Sequence, residues 1–284
     1  MRSTSILIIL GIFFITLLAS VIFWFTHKKG TQTVPVGNMQ PLTLLHVANL
    51  AQPEQPTLLL PEAEVIGWSD FDAVLLGGNL LYNTTSDSLT FSLLGRTLGL
   101  DKERVFWSVG THDIANPMLL KAVTKRPLFY GTRLNDIGIF VLDAETSVGK
   151  ITDEQFDALK TFLAANNDVK SLIVLTGRLV WLYGDAQLSG NHISNSSVVP
   201  SNFNARISPL LKMWAKGDKQ VLCIAGDIGN QINQFEYETE EGIHYLASGL
   251  HPTNSAKSRV LLLKQDATTR LLSWQFLNTS DLPN

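Results

Sequence analysis

The sequence predicts an α/β protein behind an N-terminal apolar segment, and three observations carry that expectation. Short apolar runs recur along the chain with helix-like stretches between them. Several of these runs are continuous rather than alternating, as in strands covered on both faces. Residues 6–25 differ from all of them: one unbroken apolar run, with no charge between Arg2 and His27.

The strand-like runs fall at residues 42–47, 73–76, 105–107, 137–142, 172–175, 221–225, 243–246, 259–263 and 271–276. The clearest helix begins at Thr152. Thr152 and Gln155 form a capping box, Asp153 and Glu154 suit the positive helix end, and Phe156, Leu159, Phe162 and Leu163 mark one face. Residues 89–98 and 205–215 are expected to be helical too, with Asn204 as the cap of the second. Residues 184–202, rich in Gly, Ser and Asn, read as a long loop. The last third is rich in strands and contains the turn Glu240-Glu241-Gly242. It predicts a second, largely antiparallel sheet packed on the first. The order fits one layered domain better than two.

The chain has 284 residues, 45% of them hydrophobic and 17% charged, so it can bury a full core and is not disordered. The run at 6–25 is about as long as a bilayer core requires. It exceeds the roughly 7–15 residues of a signal-peptide core, and it ends in Ile22-Phe23-Trp24-Phe25, which lacks a small-residue cleavage site. Residues 1–29 are therefore expected to be an uncleaved, single-pass membrane anchor, 30–40 a linker, and 41–284 the folded domain. Arg2 precedes the span, and His27, Lys28 and Lys29 lie after it, so flanking charge does not fix the orientation. An N-terminal signal anchor usually exports the chain on its C-terminal side, which favours a periplasmic or other extracytoplasmic domain.

The net charge is −3, and three of the 22 basic residues (Arg2, Lys28 and Lys29) flank the apolar run. No basic stripe remains, which argues against a nucleic-acid partner. The single cysteine, Cys223, lies in the apolar run Val221-Leu222-Cys223-Ile224-Ala225 and reads as a buried core thiol. Neither a disulfide nor a cysteine-based zinc site is possible within the chain.

The loops after the strands carry a further pattern. Leu44-Leu45-His46-Val47-Ala48-Asn49-Leu50-Ala51 is similar to a strand followed by Asp-x-His. Phe71-Asp72-Ala73-Val74-Leu75-Leu76-Gly77-Gly78-Asn79 is similar to a strand ending in Gly-Asp. Val109-Gly110-Thr111-His112-Asp113 is similar to Gly-Asn-His-Asp. Residues 172–178 take the place of a strand ending in His, and Val221-Leu222-Cys223-Ile224-Ala225-Gly226-Asp227-Ile228-Gly229 that of a strand followed by Gly-His-x-His. In this order and spacing, residues 42–276 resemble the calcineurin-like metallophosphoesterases. The resemblance implies a layered α-β-β-α sandwich of two mixed sheets, and a cleft at the strand tips holding two divalent metal ions.

The same positions depart from the family. Asn49 stands for the first Asp, Ala51 for the first His, and Asn79 for the Asp that would bridge two metals. Thr111 replaces the Asn. Gly177 or Arg178 replaces one His, and Asp227 and Gly229 replace the last two. Exchanging Asp for Asn keeps the shape and removes the charge that two dications need. The expectation is therefore a cleft formed by Asn49, Asn79, Thr111, Arg178 and Asp227 with no metal cofactor. Only His112-Asp113 survives. By the resemblance it would serve as an acid near the leaving group, with Asp113 orienting His112. Alternatively, Asp113 caps a loop and His112 is an ordinary polar residue.

His46 reads as a core histidine, and His192, His244 and His251 lack metal-ligand spacing. Asn83-Thr84-Thr85, Asn195-Ser196-Ser197 and Asn278-Thr279-Ser280 match the glycosylation pattern by chance in an Asn-rich chain. The functional expectation is a membrane-anchored, catalytically inactive binding or scaffold domain with an envelope protein partner. The alternative is a phosphoesterase whose remodelled site uses His112, Asp113 and Asp227.

Overall fold

A computed structural model describes residues 40–55, 57–82, 88–114, 116–185, 187–188 and 193–283. The apolar run 6–25, the linker before Gln40, His192 and the Asn83 triplet lie outside the described residues. Among the described residues no helix is long and apolar enough to cross a membrane.

Eleven strands are described: β1 (Thr43–Val47), β2 (Ala73–Leu76), β3 (Val105–Trp107), β4 (Tyr130–Leu134), β5 (Ile137–Val141), β6 (Ser171–Thr176), β7 (Gln220–Ala225), β8 (Gln234–Glu238), β9 (Ile243–Ser248), β10 (Val260–Gln265) and β11 (Leu272–Leu277). The α-helices are α1 (Pro61–Glu64), α2 (Ser88–Leu98), α3 (Pro117–Thr124), α4 (Asp153–Ala165) and α5 (Ser208–Trp214). One sheet runs β11-β10-β1-β2-β3, and the other β4-β5-β6-β7-β9-β8. Both are mixed. In the first, β1, β2 and β3 are parallel while β10 and β11 form antiparallel pairs at its other end. In the second, β5, β6, β7 and β9 are parallel, and the antiparallel strands β4 and β8 close the edges.

Strand periodicity sorts the side chains into layers. Leu44, Leu75, Phe106, Ile139, Ile173, Leu222 and Leu261 fill the space between the sheets. Leu45, Val47, Val74 and Leu76 point the other way and pack with Phe91 and Leu94 of α2 and Leu120 of α3. Phe140, Leu172, Val174 and Cys223 pack with Leu159 and Leu163 of α4 and Leu211 of α5. The layers are α-β-β-α. Strands covered on both faces must be apolar throughout, which is why β5 and β6 read as continuous runs.

The last third does not form a separate sheet. Strands β8 and β9 complete the six-stranded sheet, and β10 and β11 return to pair beside β1. The edge strands β4 and β8 escape the sequence reading because half of each faces solvent and neither has an apolar run. Asn204 is not a helix cap. It lies in a π-helical turn, Phe203–Ile207, and its amide donates to the carbonyls of Trp181 (2.8 Å) and Tyr183 (3.0 Å). At α4, Thr152 accepts from the Gln155 N–H (3.3 Å), as a cap should. The Gln155 side chain, however, clamps the Asp143 N–H (2.9 Å) and C=O (3.0 Å) instead of returning to residue 152.

The tips of the parallel strands of both sheets meet at glycines. A Cβ on Gly226, after β7, would lie 2.3 Å from the Ala48 Cβ and 2.4 Å from the Gly77 oxygen. Backbone cannot yield to that overlap. Gly226→Ala is expected to lower stability by about 3 kcal/mol, read as a shifted denaturant midpoint with an unchanged slope.

Candidate functional site

Four of the sequence-predicted residues, Asn49, Asn79, His112 and Asp227, line one cleft of about 140 Å³ at the strand tips. Ala51, Tyr82, Asn195, Ser196, Asn230, Leu250 and Pro252 complete its wall. Asn49 follows β1 and Asn79 follows β2. Both adopt the left-handed backbone conformation, at φ 58° and 54°, which Asn tolerates better than most side chains. That geometry turns the two amides toward each other.

Their hydrogen bonds form a directed chain. The Asn49 Nδ2 donates to the carbonyls of Gly226 (2.8 Å) and Ile228. Asn49 Oδ1 accepts from Asn79 Nδ2 at 2.9 Å, and Asn79 Oδ1 accepts from the His112 N–H at 3.2 Å. Backbone groups sit at both ends, so the orientation of each amide is forced: two carbonyls demand donors, and one N–H demands an acceptor. The chain ties the loops after β1, β2, β3 and β7 together, and so joins the two sheets.

Asp113 is fully buried and holds the same junction from beneath. Its carboxylate accepts from the N–H groups of Asn79 (2.7 Å), Leu80 (3.0 Å) and Gly110 (2.8 Å). This is the loop-capping geometry. Three backbone donors fix the carboxylate, while the exposed His112 ring stands edge-on to Tyr82 with centroids 4.7 Å apart. These three bonds give Asp113 a structural role in the loop.

Arg178 and Thr111 lie beside the cleft rather than in its wall. Arg178 Nε is 2.9 Å from Glu145 Oε2, and Nη2 reaches the same oxygen (2.8 Å) and Thr111 Oγ1 (3.1 Å). Glu145 is presented by the turn that Gln155 clamps, where Asp143 Oδ1 accepts from the N–H groups of Glu145 (2.9 Å) and Thr146 (3.0 Å). Burial pushes the Glu145 carboxyl up to about 7, outweighing the attraction of Arg178, with Asp227 and Asp113 adding repulsion. Burial also raises Asp227, against the Ser194 and Ser196 hydroxyls, the Ser196 N–H and the Arg178 charge, which favour its ionised form.

Sequence reasoning missed Tyr82, Glu145, Asn195, Ser196 and Asn230. Asn195 belongs to a triplet that had the look of a chance glycosylation match. It locks the cleft wall instead: its N–H donates to the Asp227 carbonyl (2.7 Å), and its Oδ1 accepts from the Asn230 N–H (2.9 Å). Nothing local marked Glu145, because its role depends on Arg178, 33 residues away. His46, as expected, is a core residue. It bridges the sheets to Ser248 at 2.7 Å, and burial lowers it to about 3, so it is neutral.

Among solved structures, the crystal structure of a dimetal phosphatase from Danio rerio matches this architecture with a TM-score of 0.50, covering 84% of this chain and 100% of that one. The chain carries a metallophosphoesterase-like fold. Sequence identity over the match is 9%, so the likeness is one of fold. No protein-family model and no curated protein matches the sequence.

The residues present do not fit the pair of metals that this fold holds in a dimetal enzyme. Two dications about 4 Å apart repel by roughly 17 kcal/mol at an effective dielectric of 20, and anionic ligands must offset that. Here the amide oxygens of Asn49 and Asn79 already accept hydrogen bonds, and both Asp227 oxygens accept from serines. Ala51, Gly177 and Gly229 offer no side-chain donor. Among the described residues, no three His, Cys, Asp or Glu side chains group as metal ligands would.

Asn49→Asp removes both donors to Gly226 and Ile228 and sets a carboxylate against two carbonyls. A loss of about 3 kcal/mol is expected in chemical denaturation. Glu145 supplies a pH test. Its folded pKa lies above the ordinary value, so the folded state holds the proton more tightly, and stability falls as pH rises from about 4.5 to about 7. Glu145→Gln should flatten that slope in denaturation curves taken across this window.

Proposed function

We propose that this chain is a membrane-anchored metallophosphoesterase-like domain that binds a partner or ligand and does not hydrolyse phosphoesters. Residues 6–25 are its single-pass anchor, and the domain faces the extracytoplasmic side. It acts as a binding or scaffold protein in the cell envelope and works without a metal cofactor.

The observation that carries this reading is the amide chain through Asn49 and Asn79. In a two-metal site, carboxylates would face cations at these positions. Here the Asn49 Nδ2 faces two carbonyls, a contact that only a donor can make. The amides serve as the link between sheets. The cleft's charge also disfavours an anionic substrate. Asp113, Glu145 and Asp227 interact through space around one cation, Arg178. The alternative of catalysis by His112, Asp113 and Asp227 draws no support from the geometry, because backbone N–H groups engage Asp113 and serines engage Asp227.

The test uses the full-length chain with bis(p-nitrophenyl) phosphate and added manganese. No turnover above background is expected, and none that responds to His112→Ala. Metal-dependent turnover abolished by His112→Ala would end the proposal.

A further inference from the structure

Away from the cleft, a groove of about 560 Å³ opens where the edges of the two sheets lie side by side. Its wall includes Phe106 of β3, Tyr130, Thr132 and Leu134 of β4, and the arginines Arg104 and Arg126. Among the described residues, strand β4 pairs only with β5 and stands at the end of its sheet. In an antiparallel pair, alternate residues direct their N–H and C=O groups away from the partner, so an edge offers main-chain hydrogen bonds to a further strand.

The two edges of this sheet are protected differently. Strand β8 carries Glu236 and Glu238 on exposed positions, the usual guard against stray pairing. Strand β4 reads Tyr-Gly-Thr-Arg-Leu and carries one charge, Arg133, which Asp168 neutralises at 2.7 Å. Strand β3, facing the same groove, is already covered, since Arg126 donates to the Val105 carbonyl. Among the described residues, the β4 edge is thus left available.

The groove is positive although the chain as a whole carries −3. Arg126 stacks between Phe106 and Tyr130, 5.8 and 5.6 Å from the ring centroids. Arg104 is fixed by the carbonyls of Trp68 (2.9 Å) and Phe71 (2.8 Å). Carbonyls orient a guanidinium without cancelling its charge. Among the described residues, neither arginine has a carboxylate within 4 Å, and Glu103 is the only acidic residue in the wall.

We propose that this groove receives an extended acidic segment of a partner protein, which adds to β4 as a further strand. Strand side chains alternate, so every second residue of the segment would point from the new strand toward Arg104 and Arg126. Main-chain bonds to β4 supply the fit, and the two arginines select acidic side chains at that spacing.

The test titrates the full-length chain with a fluorescein-labelled peptide of about ten residues alternating glutamate and threonine, and with its glutamine analogue. Fluorescence anisotropy should show saturable binding that weakens as salt rises, with the glutamine peptide at least about tenfold weaker. Amide hydrogen exchange of residues 130–134 should slow when the glutamate peptide saturates the chain. Arg104→Gln should weaken binding of the glutamate peptide. Because exchange is read on the unaltered chain, the result does not depend on a variant folding. Equal affinity for both peptides, binding without protection of residues 130–134, or no binding at about 1 mM peptide would overturn the proposal. So would protection of this strand that grows with protein concentration alone, which would make a second copy the occupant.

Discussion

At the strand tips, one side-chain amide ties the two sheets together. Asn49 Nδ2 donates to the carbonyls of Gly226 and Ile228, and through its oxygen it holds Asn79, which in turn holds the His112 backbone. The loops that leave the strand tips approach closely at glycines, and polar contacts tie them together there. Buried polar groups hold only where each is paired. The amide chain meets that requirement with neutral groups. Asp113 completes it from below by accepting three N–H donors of the same loops.

This arrangement holds the cleft together with neutral groups at the strand tips. In a site with two metals, cations would draw the loops together and carboxylates would offset the cations. Removing the carboxylates without replacing the cross-link would leave loops that repel or drift. Here the loops are cross-linked by amide hydrogen bonds. Asp227 lines the cleft with both oxygens held by serines, Asp113 is held by backbone N–H groups, and Glu145 by the Arg178 guanidinium. Arg178, paired with Glu145 and reaching Thr111, is a resident cation among three acids. The domain thus has a polar cleft at the strand tips and, apart from it, a groove walled by Arg104 and Arg126.

The layered architecture was legible in the sequence where burial is two-sided. The runs at 73–76, 105–107 and 221–225 are strands, and their side chains are apolar on both faces because a helix layer covers one and a second sheet the other. Edge strands β4 and β8 were not legible, since their alternating exposure dilutes any apolar signal over five residues. The destination of the last strands was not legible either. Whether β10 pairs beside β1 or starts a new sheet is a non-local matter that no local pattern encodes. At the cleft, Asn49, Asn79, His112 and Asp227 could be found because a family pattern placed them at strand ends. The partners that give them their roles lie far along the chain: Gly226 for Asn49, Ser194 for Asp227, Arg178 for Glu145. Residue types were readable, but the direction of each hydrogen bond was not.

We propose that amide hydrogen bonds occupy the place of a metal bridge. This is tested most directly by a crystal of the full-length chain grown in excess manganese and measured for anomalous scattering. The account predicts no paired anomalous peaks at the strand tips, with the Asn49 amide still on the Gly226 and Ile228 carbonyls. Two peaks about 4 Å apart, bridged by Asn79, would contradict it.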